Sequence, residues 1–288
     1  MSIGFAIRYD IPPLARLETN WVPPWLIARV AQHGPMHFRR GEPMDDHHII
    51  GSAAGAFWMV AADGVGSKRM SRFGSEAACR AVDAFLGDRL LAGAVPSRQL
   101  LSDAFKAAHE AIQARARQDR ADPLDYCTTL CAVLVRGNDI VAASVGDSSL
   151  AIGTRKGRGE GEGQAGISLA ALCSGPQPSR ATYTIADPNW AAYLATSESR
   201  SPHVDLIIAA TDGANGFFLD HAAGDQNIFR TAWVDHLDER LAALGPLTFV
   251  NLFAAFILNQ PSENDDDRTL LIAFRPPANH APPAAKPR

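Results

Sequence analysis

Ala56-Phe57-Trp58-Met59-Val60-Ala61-Ala62-Asp63-Gly64 is an unbroken apolar run that stops on an acid and a glycine. Such a run suits a strand buried on both faces, because successive side chains in a strand point to opposite faces. The same figure recurs at Leu206-Ile207-Ile208-Ala209-Ala210-Thr211-Asp212-Gly213. A third strand, Thr269 to Phe274, is entered directly from Asp265-Asp266-Asp267. If it lies antiparallel to the other two, its acidic start sits beside their acidic ends.

Working outward, Gly74 to Leu91 carries Ala78, Val82, Phe85 and Leu86 at helical spacing, and Pro96-Ser97 opens a second helix with Leu101, Phe105, Ala108 and Ile112 on one stripe. Thr128 to Val135 and Ile140 to Val145 flank Arg136-Gly137-Asn138-Asp139, a hairpin signal. Leu150 to Ile152 resumes strand character. Helices are expected over 226–244 and 248–259. Residues 1–55 read as irregular, because Pro12-Pro13 and Pro23-Pro24 interrupt any long helix, and Trp21 and Trp25 read as a clamp onto the core. Residues 153–202 show weak patterning and read as an insertion or flap, with Arg155, Lys156 and Arg158 in its Gly-rich part. The Pro/Ala-rich tail from Pro276 reads as disordered. Helix pairs alternating with strand groups and hairpins indicate an α+β fold with mainly antiparallel sheet covered by helices. The expected domain layout is an extension over 1–29, one domain over 30–275 and a tail over 276–288.

Composition narrows the function classes. Of 288 residues, 47% are apolar and 20% charged, the balance of an ordinary globular chain. A net charge of −4, from 27 basic and 31 acidic side chains, excludes a broad nucleic-acid footprint. No apolar run approaches the ~18 residues of a membrane span. The N-terminus lacks a basic start followed by an apolar block, and the four scattered cysteines do not make a disulfide framework, so a reducing, cytoplasmic setting is expected.

The acids carry the chemistry. Carboxylates gathered near an apolar core repel one another and lose hydration, and a divalent cation resolves both problems. Oxygen-only ligands favour Mg²⁺ or Mn²⁺ over zinc. A glycine after each strand-terminal aspartate lets the backbone turn and approach an ion. Asp45-Asp46, before the first strand, supplies a fourth acidic group. No phosphate-binding Gly-x4-Gly-Lys-Ser/Thr loop occurs, and Ala61-Ala62-Asp63 lacks the Asp-x-Asp of aspartyl-phosphate hydrolases.

At this point the chain resembles a family. Asp63-Gly64-Val65-Gly66 followed by Gly74 and Ala78, then Thr128-Thr129-Leu130, Gly146-Asp147-Ser148, Thr211-Asp212-Gly213 and Asp266-Asp267-Arg268-Thr269 stand in the order found in the metal-dependent type 2C (PPM) Ser/Thr protein phosphatases. His37-Phe38-Arg39-Arg40-Gly41-Glu42-Pro43-Met44-Asp45-Asp46 resembles the opening segment of a bacterial branch. The resemblance implies a four-layer α-β-β-α sandwich of two mainly antiparallel sheets flanked by helix pairs. It implies Asp46, Asp63, Asp212 and Asp266 as ligands of two Mn²⁺ or Mg²⁺ ions, with the Gly64 carbonyl, and Asp147 near a weaker third ion. Asp63 and Asp212 would be central to catalysis, and Thr128, Thr129 and Ser148 structural. The reaction implied is hydrolysis of phosphoserine and phosphothreonine on proteins by a water activated between two metals. The implied partners are phosphorylated proteins, a Ser/Thr kinase or its targets, with no nucleic acid and no membrane.

The chain departs from the family pattern in several places. The phosphate-binding arginine usually stands five residues before the first metal aspartate, where this chain has Gly41; Arg40, one residue off, and Arg39 are the alternatives. Asp45 and Asp46 are alternative registers, and the Gly41-x-Pro43 spacing favours Asp46. Val65-Gly66-Ser67-Lys68 lacks the histidine many members carry after the first Asp-Gly, with His47 and His48 as the nearest substitutes, and Ser149 stands where an arginine often follows Gly-Asp-Ser. These departures motivate a second reading, a non-catalytic phosphatase-like regulator that binds a kinase or phosphopeptide.

Overall fold

The computed structural model describes residues 14–155, 167–173, 182–217 and 265–275. One sheet has five strands: β3 (His47–Ala53), β4 (Ala56–Ala62), β5 (Leu130–Arg136), β6 (Asp139–Val145) and β9 (Ala195–Arg200), in that spatial order. The other has six, ordered β1 (Leu14–Val22), β2 (Trp25–Gln32), β11 (Arg268–Phe274), β10 (Val204–Ala210), β7 (Ser149–Arg155) and β8 (Ile167–Cys173). Neighbouring strands in both sheets run antiparallel.

Strand β4 shows why the sheets stack. Its odd and even side chains enter different cores. Trp58, Val60 and Ala62 pack with Ala78, Val82 and Leu86 of α2 (Ser71–Leu91) and with Leu101, Phe105, Ala108 and Ile112 of α3 (Arg98–Asp119). Phe57, Met59 and Ala61 pack instead with Ile27, Ile207, Ala209, Leu271 and Ala273 of the six-stranded sheet. Among the described residues the layers are therefore a helix pair, the five-stranded sheet and the six-stranded sheet. Full burial of each large apolar side chain contributes about 1.5–3 kcal/mol, so β4 anchors both interfaces. Helix α3 starts where Pro96-Ser97 indicated: the Ser97 hydroxyl accepts from the Leu100 N–H at 3.1 Å. The helices expected over 226–244 and 248–259, and the tail from Pro276, lie outside the described residues.

Two expectations are corrected. Residues 14–55 are ordered: β1 and β2 form a hairpin with Pro23-Pro24 as its turn, a third helix α1 (Pro35–Arg40) follows, and then β3. The prolines mark a turn, where a missing N–H costs no ladder bond. Strand β2 crosses the boundary expected at 29/30 and pairs with β11 along its length. Trp25 is 1% exposed in the core, its ring 5.8 Å from Phe57, while Trp21 is half-buried.

The 153–202 region is not simply a flap, because β8 extends one sheet against β7 and β9 extends the other against β6. Among the described residues both are edge strands, and β9 (Ala-Thr-Ser-Glu-Ser-Arg) is half-buried or exposed throughout, so it carries no apolar alternation to read. Among the described residues no helix is long and apolar enough to cross a membrane.

Candidate metal centre and active site

The pairing of strands gathers the acids. β3 lies antiparallel to β4 with His47 opposite Ala62, so Asp46 and Asp63 are brought together at one end of the five-stranded sheet. β10 lies antiparallel to β11 with Ala210 opposite Leu270, so Asp212 and Asp266 are brought together at one end of the six-stranded sheet. Asp147 occupies the turn between β6 and β7, where the chain crosses from one sheet to the other.

Hydrogen bonds hold this edge. The Thr211 hydroxyl donates to Asp46 Oδ2 at 2.8 Å, and the Thr269 N–H donates to the Thr211 hydroxyl oxygen at 3.0 Å. The main chain of Asp63 is clamped: its carbonyl accepts from the Thr128 hydroxyl and from the Thr129 N–H, each at 2.8 Å, and its N–H donates to Thr129 Oγ1 at 3.0 Å. Thr129 Oγ1 also lies 3.1 Å from Ser148 Oγ. The Thr182 hydroxyl donates to Asp147 Oδ2 at 2.8 Å.

The glycines after Asp63 and Asp212 are required by neighbouring backbone. A Cβ on Gly64 would sit 2.7 Å from the Asp45 carbonyl oxygen, and one on Gly213 would collide with the Asp267 carbonyl oxygen.

Burial is the main force on these acids. It pushes Asp63 well above the usual carboxylate range, and the charges of Asp46, Asp212 and Asp266 push it further. Burial likewise raises Asp46, reinforced by the charge of Asp267. Burial raises Asp212 against a hydrogen bond shared with Asp63, with Asp147 and Asp266 adding to the rise. Asp266 is raised by burial and by Asp267 and Asp147, opposed by the Asp267 N–H and His37. Asp212 Oδ1 is buried without a hydrogen-bond partner among the described residues. Crowded carboxylates, raised affinity for protons and an orphaned buried oxygen form a donor set that fits hard divalent cations.

Of the two adjacent acids, Asp46 joins the cluster. The Asp45 carboxylate instead accepts from the Ser71 hydroxyl at 3.1 Å. The structure does not bring Arg40 to the carboxylates. It is more than half exposed, with Glu42 at 3.9 Å, and Arg39 is engaged with Asp265 at 2.8 Å. Helix α1 ends at Gly41, which has φ 66°, so the expected arginine position is a left-handed helix cap. Among the described residues no arginine is among the charges that act most strongly on Asp46, Asp63, Asp212 or Asp266. His47 and His48 start β3 opposite Ala62 and Ala61. Arg155 ends β7, and Lys156 and Arg158 lie outside the described residues.

Sequence reasoning missed Asp267 and His37. Asp267 is 1% exposed and His37 4% exposed, with Asp267 Oδ2 and His37 Nδ1 3.0 Å apart. Their signal was faint: a third consecutive acid at the mouth of a buried strand.

A family model described as protein phosphatase 2C matches residues 33–250. The chain belongs to the protein phosphatase 2C family. It is accordingly a protein phosphatase by class, with the antiparallel α+β sandwich expected of one. Among solved structures, the chain is similar to the serine/threonine phosphatase Stp1 from Staphylococcus aureus at 15% identity and a TM-score of 0.56, covering 94% of this chain and 98% of that one. It is similar to a serine-threonine phosphatase 2C from Toxoplasma gondii at 15% identity and a TM-score of 0.56, over 92% and 99% of the two chains. A bacterial serine phosphatase matches at 16% identity and a TM-score of 0.56, over 86% and 96%. At these identities the likeness is one of fold. No curated protein matches the sequence significantly.

Proposed function

We propose that this phosphatase removes phosphate from phosphoserine and phosphothreonine on proteins, with Mn²⁺ or Mg²⁺ as its cofactor. The observation that carries the reading is the convergence of Asp46, Asp63, Asp212 and Asp266 from both sheets in a chain of this family. These four, with the Gly64 carbonyl, would hold two ions, and Asp147 would stand by a weaker third. When bound, the ions supply Lewis-acid activation of a water for in-line attack on phosphorus and neutralise charge that develops on the phosphoryl oxygens.

The protein's own groups prepare that site. Thr211 orients Asp46 through its hydroxyl. Asp63 and Asp212 are each raised above the usual carboxylate range, chiefly by burial, so cation binding at this pair would displace protons from it. Arg40 is the proposed phosphate contact on the rim. It must leave Glu42 to act, and an exposed pair of this kind resists by only about 0–1 kcal/mol. Phosphorylated proteins, a Ser/Thr kinase or its targets, would be the substrates. The four cysteines are all free and buried, which fits a reducing, cytoplasmic setting.

The test is phosphate release from phosphoserine and phosphothreonine peptides with Mn²⁺, with Mg²⁺ and with a chelator, in wild type and Asp63→Ala. Release should require the metal and be lost in the variant. Equal release by both proteins without metal would overturn the proposal.

A further inference from the structure

Asp267 stands between the two halves of the acidic cluster. Its Oδ1 accepts from the Gly34 N–H at 2.6 Å, and its Oδ2 accepts from the Asp45 N–H at 2.7 Å. His37 Nδ1 lies 3.0 Å from the same Oδ2, and the tautomer that carries its proton on Nδ1 donates there. The Asp267 N–H in turn donates to Asp266 Oδ1 at 2.8 Å. One buried carboxylate thus ties the residue before Asp46, which leads into β3 of the five-stranded sheet, to the residue after Asp266, which leads β11 of the six-stranded sheet. Charge-assisted bonds to a buried carboxylate are short and resist distortion, and leaving such a group unmatched is costly.

We infer that Asp267 and His37 are positioning residues that set the spacing of Asp46 and Asp266 across the two sheets, and hence the affinity of the site for its cations. The inference rests on the metal reading above. Carboxylate ligands bind an ion pair tightly only when they are held at the right separation, and partners outside the ligand set typically account for 10–100-fold of affinity. His37 performs this work through one ring nitrogen. Its Nε2 is 3.9 Å from Asp45 Oδ2, beyond hydrogen-bond reach, while Nδ1 meets Asp267.

Two amides separate positioning from bulk packing. In His37→Asn the amide nitrogen replaces Nδ1; in His37→Gln it replaces Nε2, and the donor to Asp267 is lost. Mn²⁺ binding to the full chain is measured by calorimetry, with melting in chelator as the check on folding. His37→Asn should bind Mn²⁺ within a few-fold of wild type, while His37→Gln and Asp267→Asn should bind about 10–100-fold more weakly. The turnover of His37→Gln on a phosphopeptide should recover toward wild type at saturating Mn²⁺. Equal Mn²⁺ affinity in the Asn and Gln variants, with Asp267→Asn unchanged, would overturn the inference. Absence of Mn²⁺ binding by the wild type would instead overturn the metal reading itself.

Discussion

The Thr211 hydroxyl and Asp46 Oδ2 are 2.8 Å apart across 165 positions of sequence. Thr211 follows β10 in one sheet and Asp46 precedes β3 in the other, so this bond joins the sheets beside the acidic cluster. Both residues are buried. Thr211→Val keeps the shape but leaves the Asp46 oxygen and the Thr269 N–H without this partner. It should cost about 1–3 kcal/mol in chemical denaturation, and Thr211→Ser should retain most of the stability. A Val variant as stable as wild type would show the bond to be inconsequential.

The acids impose a pH dependence on the metal-free protein. Asp46, Asp63, Asp212 and Asp266 all have folded values raised above 3.8, chiefly by burial. The folded state then holds more protons than the unfolded one, so its stability falls as pH rises. This contribution is whole below about the unfolded value and is lost as pH climbs through the raised folded values. Melting temperature in chelator should therefore drop from pH 4.5 toward pH 8, and Mn²⁺ should remove the slope. Asp63→Asn should raise the metal-free melting temperature by a few degrees and flatten the curve.

Asp212 Oδ1 is buried without a hydrogen-bond partner among the described residues, and on the proposed reading it would meet a cation. Asp212→Ala should lower kcat/KM on a phosphopeptide by more than about 100-fold, the upper end of what outer-sphere changes cost. It should leave the metal-free fold at least as stable as wild type. Retained activity at the same Mn²⁺ concentration would remove Asp212 from the site.

Arg40 is exposed and, among the described residues, paired with Glu42 at 3.9 Å, so Arg40→Ala should leave stability within about 0.5 kcal/mol. If it meets the substrate phosphate, KM for a phosphopeptide should rise several-fold. Unchanged kcat and KM would assign phosphate contact to another cation.

Burial pushes the Cys131 thiol up to about 12 and the Cys173 thiol up to about 11. Thiolate is the reactive form, so neither should be alkylated at pH 8 in the native protein, and both should react once it is unfolded. Rapid native labelling at either position would contradict their placement in the core.

Local pattern made much of the frame legible. β4, β10 and β11 are saturated with apolar residues, Ala78, Val82 and Leu86 repeat at helical spacing, and Ser97 announces α3 with a cap. The β1–β2 hairpin and strands β8 and β9 were hidden. Prolines punctuate the first, and edge position relaxes the demand for apolar alternation in the other two.

By itself the sequence determined which acids stand at the ends of buried strands, because burial leaves an apolar run on the chain and each run ends on charge. The Gly41-x-Pro43 spacing favoured Asp46, but only the tertiary structure showed the Asp45 carboxylate held by Ser71, Arg40 exposed beside Glu42, and Asp267 with His37 joining the two halves. Those outcomes depend on strand register and on hydrogen bonds between residues more than 200 positions apart, which no local spacing encodes.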